Sequence, residues 1–175
     1  MRREFNRQKY KELILLVAKE GERYGGLGQL QFNKTLVDCD LSFYQESGRP
    51  MTGQKIQNER NGPISSPLVP LTREMQLEDG SLTEEFVPVG PHKKKVFKAT
   101  READESLFTE RELELIREKV RFWSELSYNE ASTLSHRHFA GWHFSDEGDE
   151  IPYASVHLSL EPISLADRAY ALELE

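Results

Sequence analysis

The segment from Gly48 to Pro63 limits the fold more than any other stretch of the chain, with Gly-Arg-Pro-Met-Thr-Gly at one end and Asn-Gly-Pro at the other. Glycine and proline at both ends demand sharp turns, and nothing between them repeats with a helical or strand period, so the stretch reads as an ordered connector. What precedes it is helical. Tyr10, Leu13, Ile14 and Val17 fall at i, i+3, i+4 and i+7, with Leu15 and Leu16 widening the apolar face. This spacing predicts a largely buried helix over about residues 5–23. Gly25, Gly26 and Gly28 then interrupt the pattern. Phe32, Leu36, Val37, Leu41 and Tyr44 set a second helical stripe over Gln29 to Ser47. Gly48 is placed to cap that helix, because a left-handed backbone is easy only for glycine.

After the connector, Ser65 or Ser66 is placed to cap a third helix with Pro67 at an early position, carrying Leu68, Leu71, Met75 and Leu77 toward the core until Asp79-Gly80 ends it. A β-hairpin is expected next, from Phe86 to Val89 and from Lys95 to Lys98, turning at Gly90-Pro91-His92. Thr109-Glu110-Arg111-Glu112 is a capping box in front of Leu113, Ile116, Val120 and Trp123 at helical spacing. Ser127-Tyr128-Asn129-Glu130 repeats the device and opens a shorter helix to about His136. Ser164 is placed to cap a C-terminal helix within an acidic tail, residues 161–175. The expected fold class is mainly α (α+β): one compact helical domain over residues 1–160, with one small β-hairpin between the third helix and the C-terminal helices.

At 175 residues the chain is of single-domain size. It is 37% hydrophobic and 30% charged, a well-solvated globular composition. No apolar run approaches the roughly 20 residues needed to span a bilayer, and the Met1-Arg2-Arg3 start lacks the features of a secretory leader. The lone Cys39 cannot form an internal disulfide, which favours a cytoplasmic location. A formal charge of −7 argues against general nucleic-acid binding, which draws on clustered Lys and Arg. The compact basic run His92-Lys93-Lys94-Lys95 reads as the solvated tip of the hairpin.

Motifs for catalysis are missing: the sequence has no Walker loop, GxGxxG, GxSxG, HExxH or paired CxxC. No catalytic, cofactor or metal residue is therefore assigned, and the chain is expected not to be an enzyme. His136, His138 and His143 are the nearest approach to a metal site, but His136 and His138 point apart if helical and lack a fourth ligand, so packing or partner contact is the expected role. Asp38 and Asp40 diverge by about 200° on a helix and cannot address one atom. Asp38 is expected to be solvated. Asp40, nearer the apolar stripe, is expected to hydrogen-bond the backbone or an arginine of the connector. Trp123 and Trp142 are expected in core and rim packing. A helix followed by a hairpin also suggests a winged helix, yet Arg73, Glu74, Glu78 and Asp79 leave the third helix without a basic face.

The most specific residues are Phe32-Asn33-Lys34-Thr35-Leu36-Val37-Asp38-Cys39-Asp40, Tyr44, Gly48-Arg49-Pro50-Met51-Thr52-Gly53 and Asn61-Gly62-Pro63-Ile64-Ser65. They are followed by Phe108 to Glu112, Leu134-Ser135-His136 with Trp142, and Glu150-Ile151-Pro152-Tyr153. This order resembles the Panacea domain, the SocA-like antitoxin family of bacterial and phage toxin–antitoxin systems, over residues 8–160. Thr35, Val37 and Asn61 depart from that family's usual residues. The resemblance implies a non-catalytic antitoxin that neutralises a cognate protein toxin, encoded by the adjacent gene, through direct binding. The alternatives it leaves open are a winged-helix-like transcriptional regulator and a proteolytic adaptor that delivers the toxin to a protease; a homo-oligomer is compatible with each. Arg49, Thr52, Gln54, Arg60, Asn61, His136 and Trp142 are expected to touch the partner, and Asp40, Gly48, Pro50, Gly53, Gly62 and Pro63 to build the motif.

Overall fold

The computed structural model describes residues 4–158 and 160. Helix α1 (Arg7–Gly21) opens at Asn6, whose side chain accepts from the Lys9 amide, and α2 (Gln29–Ser47) ends at Gly48 with φ of 71°. Strands β1 (Ile56–Gln57) and β2 (Ile64–Ser65) lie within and just after the connector. They are followed by α3 (Leu68–Leu77), the hairpin strands β3 (Leu82–Val89) and β4 (His92–Ala99), α4 (Glu110–Ser124) and α5 (Tyr128–His138). The fold is mainly α with two small antiparallel strand pairs, β1–β2 and β3–β4. The C-terminal helix expected after Ser164 lies outside the described residues.

Helix α2 is the axis of the domain. Every side chain from Phe32 to Leu41 is buried, because α1, α4, α5, β4 of the hairpin and β2 beside the connector all pack against it. One core joins Tyr10, Leu13, Ile14, Phe32, Leu36 and Met75 with Leu115, Ile116 and Val120. The other joins Val37, Leu41, Ile56, Trp123, Phe139, Ile151 and Tyr153. A helix covered all round has no face left for polar side chains to reach water, so each of its polar residues must find a protein partner.

Several expectations are corrected here. Neither Ser65 nor Ser66 caps α3: Pro67 holds the cap position without a side-chain bond, Ser65 Oγ pairs with Tyr10 Oη, and Ser66 Oγ donates to Gln57 Oε1. Leu77 is 73% exposed, on the outer side of α3. The connector is not free of strands, since Ile56 pairs with Ser65 and Gln57 with Ile64; two-residue strands are too short to show a period. The β3–β4 hairpin is longer than expected and turns at Gly90 and Pro91, which places His92 to Lys95 within β4 rather than at its tip. Both capping boxes are present, at Thr109 and Ser127. Thr109→Ala is expected to cost about 1 kcal/mol, read as a lower urea midpoint with an unchanged slope, because it removes the acceptor for the Glu112 amide.

Candidate functional site

The connector is a strap laid antiparallel along α2 and pinned to it at both ends by buried polar side chains. At the near end the Asp40 carboxylate accepts from the Thr52 amide (2.7 Å), the Gly53 amide (3.3 Å), Gln54 Nε2 (2.7 Å) and the Thr52 hydroxyl. The expected backbone partners are therefore present, and no arginine is among the contacts. At the far end Lys34 Nζ donates to the carbonyls of Asn61 (2.9 Å) and Pro63 (2.8 Å), while Asn33 Nδ2 donates to Pro63 O and Asn33 Oδ1 accepts from the Ser65 amide.

Lys34 is fully buried, and its burial pulls the amine down from the usual lysine range to about 7. Between pH 7 and about 10 the unfolded chain holds a proton on this lysine that the folded chain has released. Stability should therefore rise with pH across that window. Thermal melts from pH 7 to 10 should show this slope, and Lys34→Met should flatten it.

The outer half of the strap is covered by the chain that follows α5. The Asn58 amide donates to Asp149 O and the Ile151 amide to Ile56 O, both near 2.9 Å, extending the strand pair with a third edge. Asn58 Nδ2 donates to the carbonyls of Trp142 and Ser145, Trp142 Nε1 donates to Glu59 O (2.8 Å), and Tyr153 Oη donates to Gln54 O (2.9 Å). His136 stacks on Trp142 with ring centres 4.1 Å apart and planes 9° from parallel. The segments from Phe32 to Asp40, Gly48 to Gly53, Asn61 to Ser65, Leu134 to Trp142 and Glu150 to Tyr153 thus meet in space.

Gly62 is the tightest point of the contact. Its φ is 90°, and a Cβ there would sit 2.5 Å from Ser135 Oγ and 2.7 Å from Lys34 Nζ. The His136 ring lies alongside; burial, then Lys34 and His143, pull its pKa below the usual histidine value. His136 Nε2 is buried without a hydrogen-bond partner. His143 Nε2 donates to His136 O (2.6 Å), whereas His138 turns away to Asp38. Among the described residues no group of three His, Cys, Asp or Glu side chains is placed to hold a metal ion.

Asp38 is not solvated. It is 1% exposed and accepts from Trp123 Nε1 (2.9 Å), His138 Nε2 (3.0 Å) and Ser42 Oγ (2.8 Å), with Lys119 Nζ at 3.1 Å. Burial alone would raise its pKa, but His138, Lys119 and Ser42 outweigh it and hold the carboxyl at about 2. Asp38 ties α2 to α4 and α5, as Asp40 ties it to the strap.

The residues expected to touch a partner divide accordingly. Thr52 and Gln54 are buried, 2% and 0% exposed, and hydrogen-bond Asp40, so they hold the strap and cannot meet a partner directly. Arg49 is exposed beyond the Gly48 cap, about 20 Å along α2 from Lys34 at 1.5 Å per residue, and does not share a surface with the far end. Arg60 and Asn61 are exposed, and they lie beside the half-buried His136 and Trp142. Phe144 is 62% exposed. Sequence reasoning missed Lys34, Asn58 and Ser135; the polar interruption of the Phe32–Leu41 run was the available signal for Lys34. No protein-family model, curated protein or solved structure matches the chain. Among the described residues no helix is long and apolar enough to cross a membrane.

Proposed function

We propose that this protein is a cytoplasmic, non-catalytic antitoxin of the Panacea type, which neutralises the protein toxin encoded beside it by direct binding. The observation that carries the reading is the face made by Arg60, Asn61, His136 and Trp142, held on a strap whose turns are fixed from below by Lys34 and Asp40. Arginine and large aromatics are the side chains that most often dominate binding energy in protein interfaces. A surface rigid before contact loses little conformational freedom on binding. The buried Asn33, Lys34 and Asp40 beneath it are taken up by the hydrogen bonds that hold the strap, which supports a preformed binding surface.

Co-expression with the neighbouring gene product tests this. Growth arrest by that product should be relieved by the wild-type chain, and the two should co-purify. Arg60→Glu should weaken the complex by about tenfold or more while leaving the melting temperature unchanged, since Arg60 makes no ion pair among the described residues. Failure of the wild-type chain to bind or rescue would remove the antitoxin reading. The abundance of the neighbouring product separates occlusion from delivery to a protease: occlusion leaves it constant.

A further inference from the structure

The run His92 to Lys95 does more than solvate a turn. It forms one wall of a groove of about 620 Å³, whose other walls are the first turn of α2 and the junction between α4 and α5. The chain carries a net charge of −7, yet no carboxylate lines this groove. Lys93 is exposed and makes no ion pair among the described residues. Lys94 lays its stem against Gly28 and donates to Gly26 O (2.6 Å). At the start of α2 the Gly28 amide donates to Gln31 Oε1 (2.9 Å), and Gly28 bridges to Val96 of β4.

The remaining lining is apolar and aromatic: Leu30, Leu126, Val89 and Tyr128, of which Val89 is 50% and Tyr128 62% exposed. Leu126 also borders a shallower hollow of about 400 Å³ that runs along α5 past Thr133 and Leu134 to Arg137. That hollow leads toward His136, so the groove and the Arg60–Trp142 face lie at opposite ends of the same helix.

We propose that this groove docks an acidic, partly apolar peptide segment of the partner protein, with carboxylates on Lys93 and Lys94 and an apolar side chain between Leu126 and Tyr128. The inference rests on the partner-binding reading above and adds a second contact to it. The size suits a peptide segment better than a lone inorganic ion, because pockets of roughly 300–1,000 Å³ take ligands of many atoms. A nucleic-acid strand fits less well, since binding along a phosphate backbone draws on several free cations and Lys95 is paired with Glu84 (2.5 Å), whereas Leu30, Leu126 and Val89 suit apolar side chains.

Fluorescence anisotropy with the full chain tests the groove using labelled ten-residue peptides of alternating Glu and Leu or alternating Lys and Leu, and a ten-nucleotide oligo-dT. The Glu/Leu peptide should bind; Lys93→Glu and Tyr128→Ala should each weaken it at least tenfold without changing the melting temperature, while Arg60→Glu, outside the groove, should not. Lack of binding by the Glu/Leu peptide, binding insensitive to both variants, or tighter binding of oligo-dT would each overturn the proposal. In parallel, Lys93→Glu should weaken co-purification with the neighbouring gene product. If the wild-type complex forms and this variant does not weaken it, the groove proposal falls and the partner reading stands; if the wild-type complex does not form, the partner reading itself falls.

Discussion

Asp40→Ala should lower the stability of the domain by about 4 kcal/mol, enough to unfold a substantial fraction of an ordinary domain whose whole stability is about 5–15 kcal/mol. The carboxylate is fully buried and receives four donors from the strap. Removing it strands two backbone amides and a hydroxyl and leaves Gln54 Nε2 with the Leu36 carbonyl alone (2.7 Å), and each buried donor left unpaired costs about 1–3 kcal/mol. Water entering the space offsets part of that sum. Urea denaturation should show the loss together with early hydrogen exchange at Thr52 and Gly53. A loss below about 1 kcal/mol would mean that Asp40 does not hold the strap.

Gly62→Ala should cost about 3 kcal/mol, and Gly48→Ala about 1 kcal/mol. Both glycines have positive φ, 90° and 71°, so both variants bear the roughly 1–2 kcal/mol of placing a Cβ in a left-handed backbone. They differ in their surroundings. At Gly48 nothing lies within 4 Å of the added carbon, whereas at Gly62 it meets Ser135 Oγ and Lys34 Nζ inside 2.8 Å. Overpacking of this kind adds about 1–3 kcal/mol. Chemical denaturation of the two variants side by side separates backbone strain from steric overlap; equal losses would show that the strap is not pressed against α5 as described.

The helices were legible where a single local signal sufficed. The α2 stripe with Gly48 gave its bounds, and the reciprocal bonds of Thr109 with Glu112 and of Ser127 with Glu130 marked the starts of α4 and α5. What the sequence hid follows from the burial of α2 on every side. A stripe of apolar residues implies a solvated opposite face, and on that ground Asp38 looked exposed; instead α5 and α4 bring His138, Trp123 and Lys119 to it from about 80 to 100 positions away. Thr52 and Gln54 looked exposed because the connector has no period, yet its hydrogen bonds run to α2 rather than along itself. His92 to Lys95 looked like a turn because a charged strand shows no alternation of apolar residues. Glu84 and Glu85, which pair with Lys95 and Lys98, were the signal that these lysines lie in a strand.

The face formed by Arg60, Asn61, His136 and Trp142 is the centre of the functional account, and amide hydrogen exchange of the free chain and of its complex with the neighbouring gene product addresses it most directly. On binding, residues 59–61 and 136–144 should gain protection, while α3, on which no contact is proposed, should not change. Protection confined to other segments, with 59–61 and 136–144 exchanging as in the free chain, would contradict it.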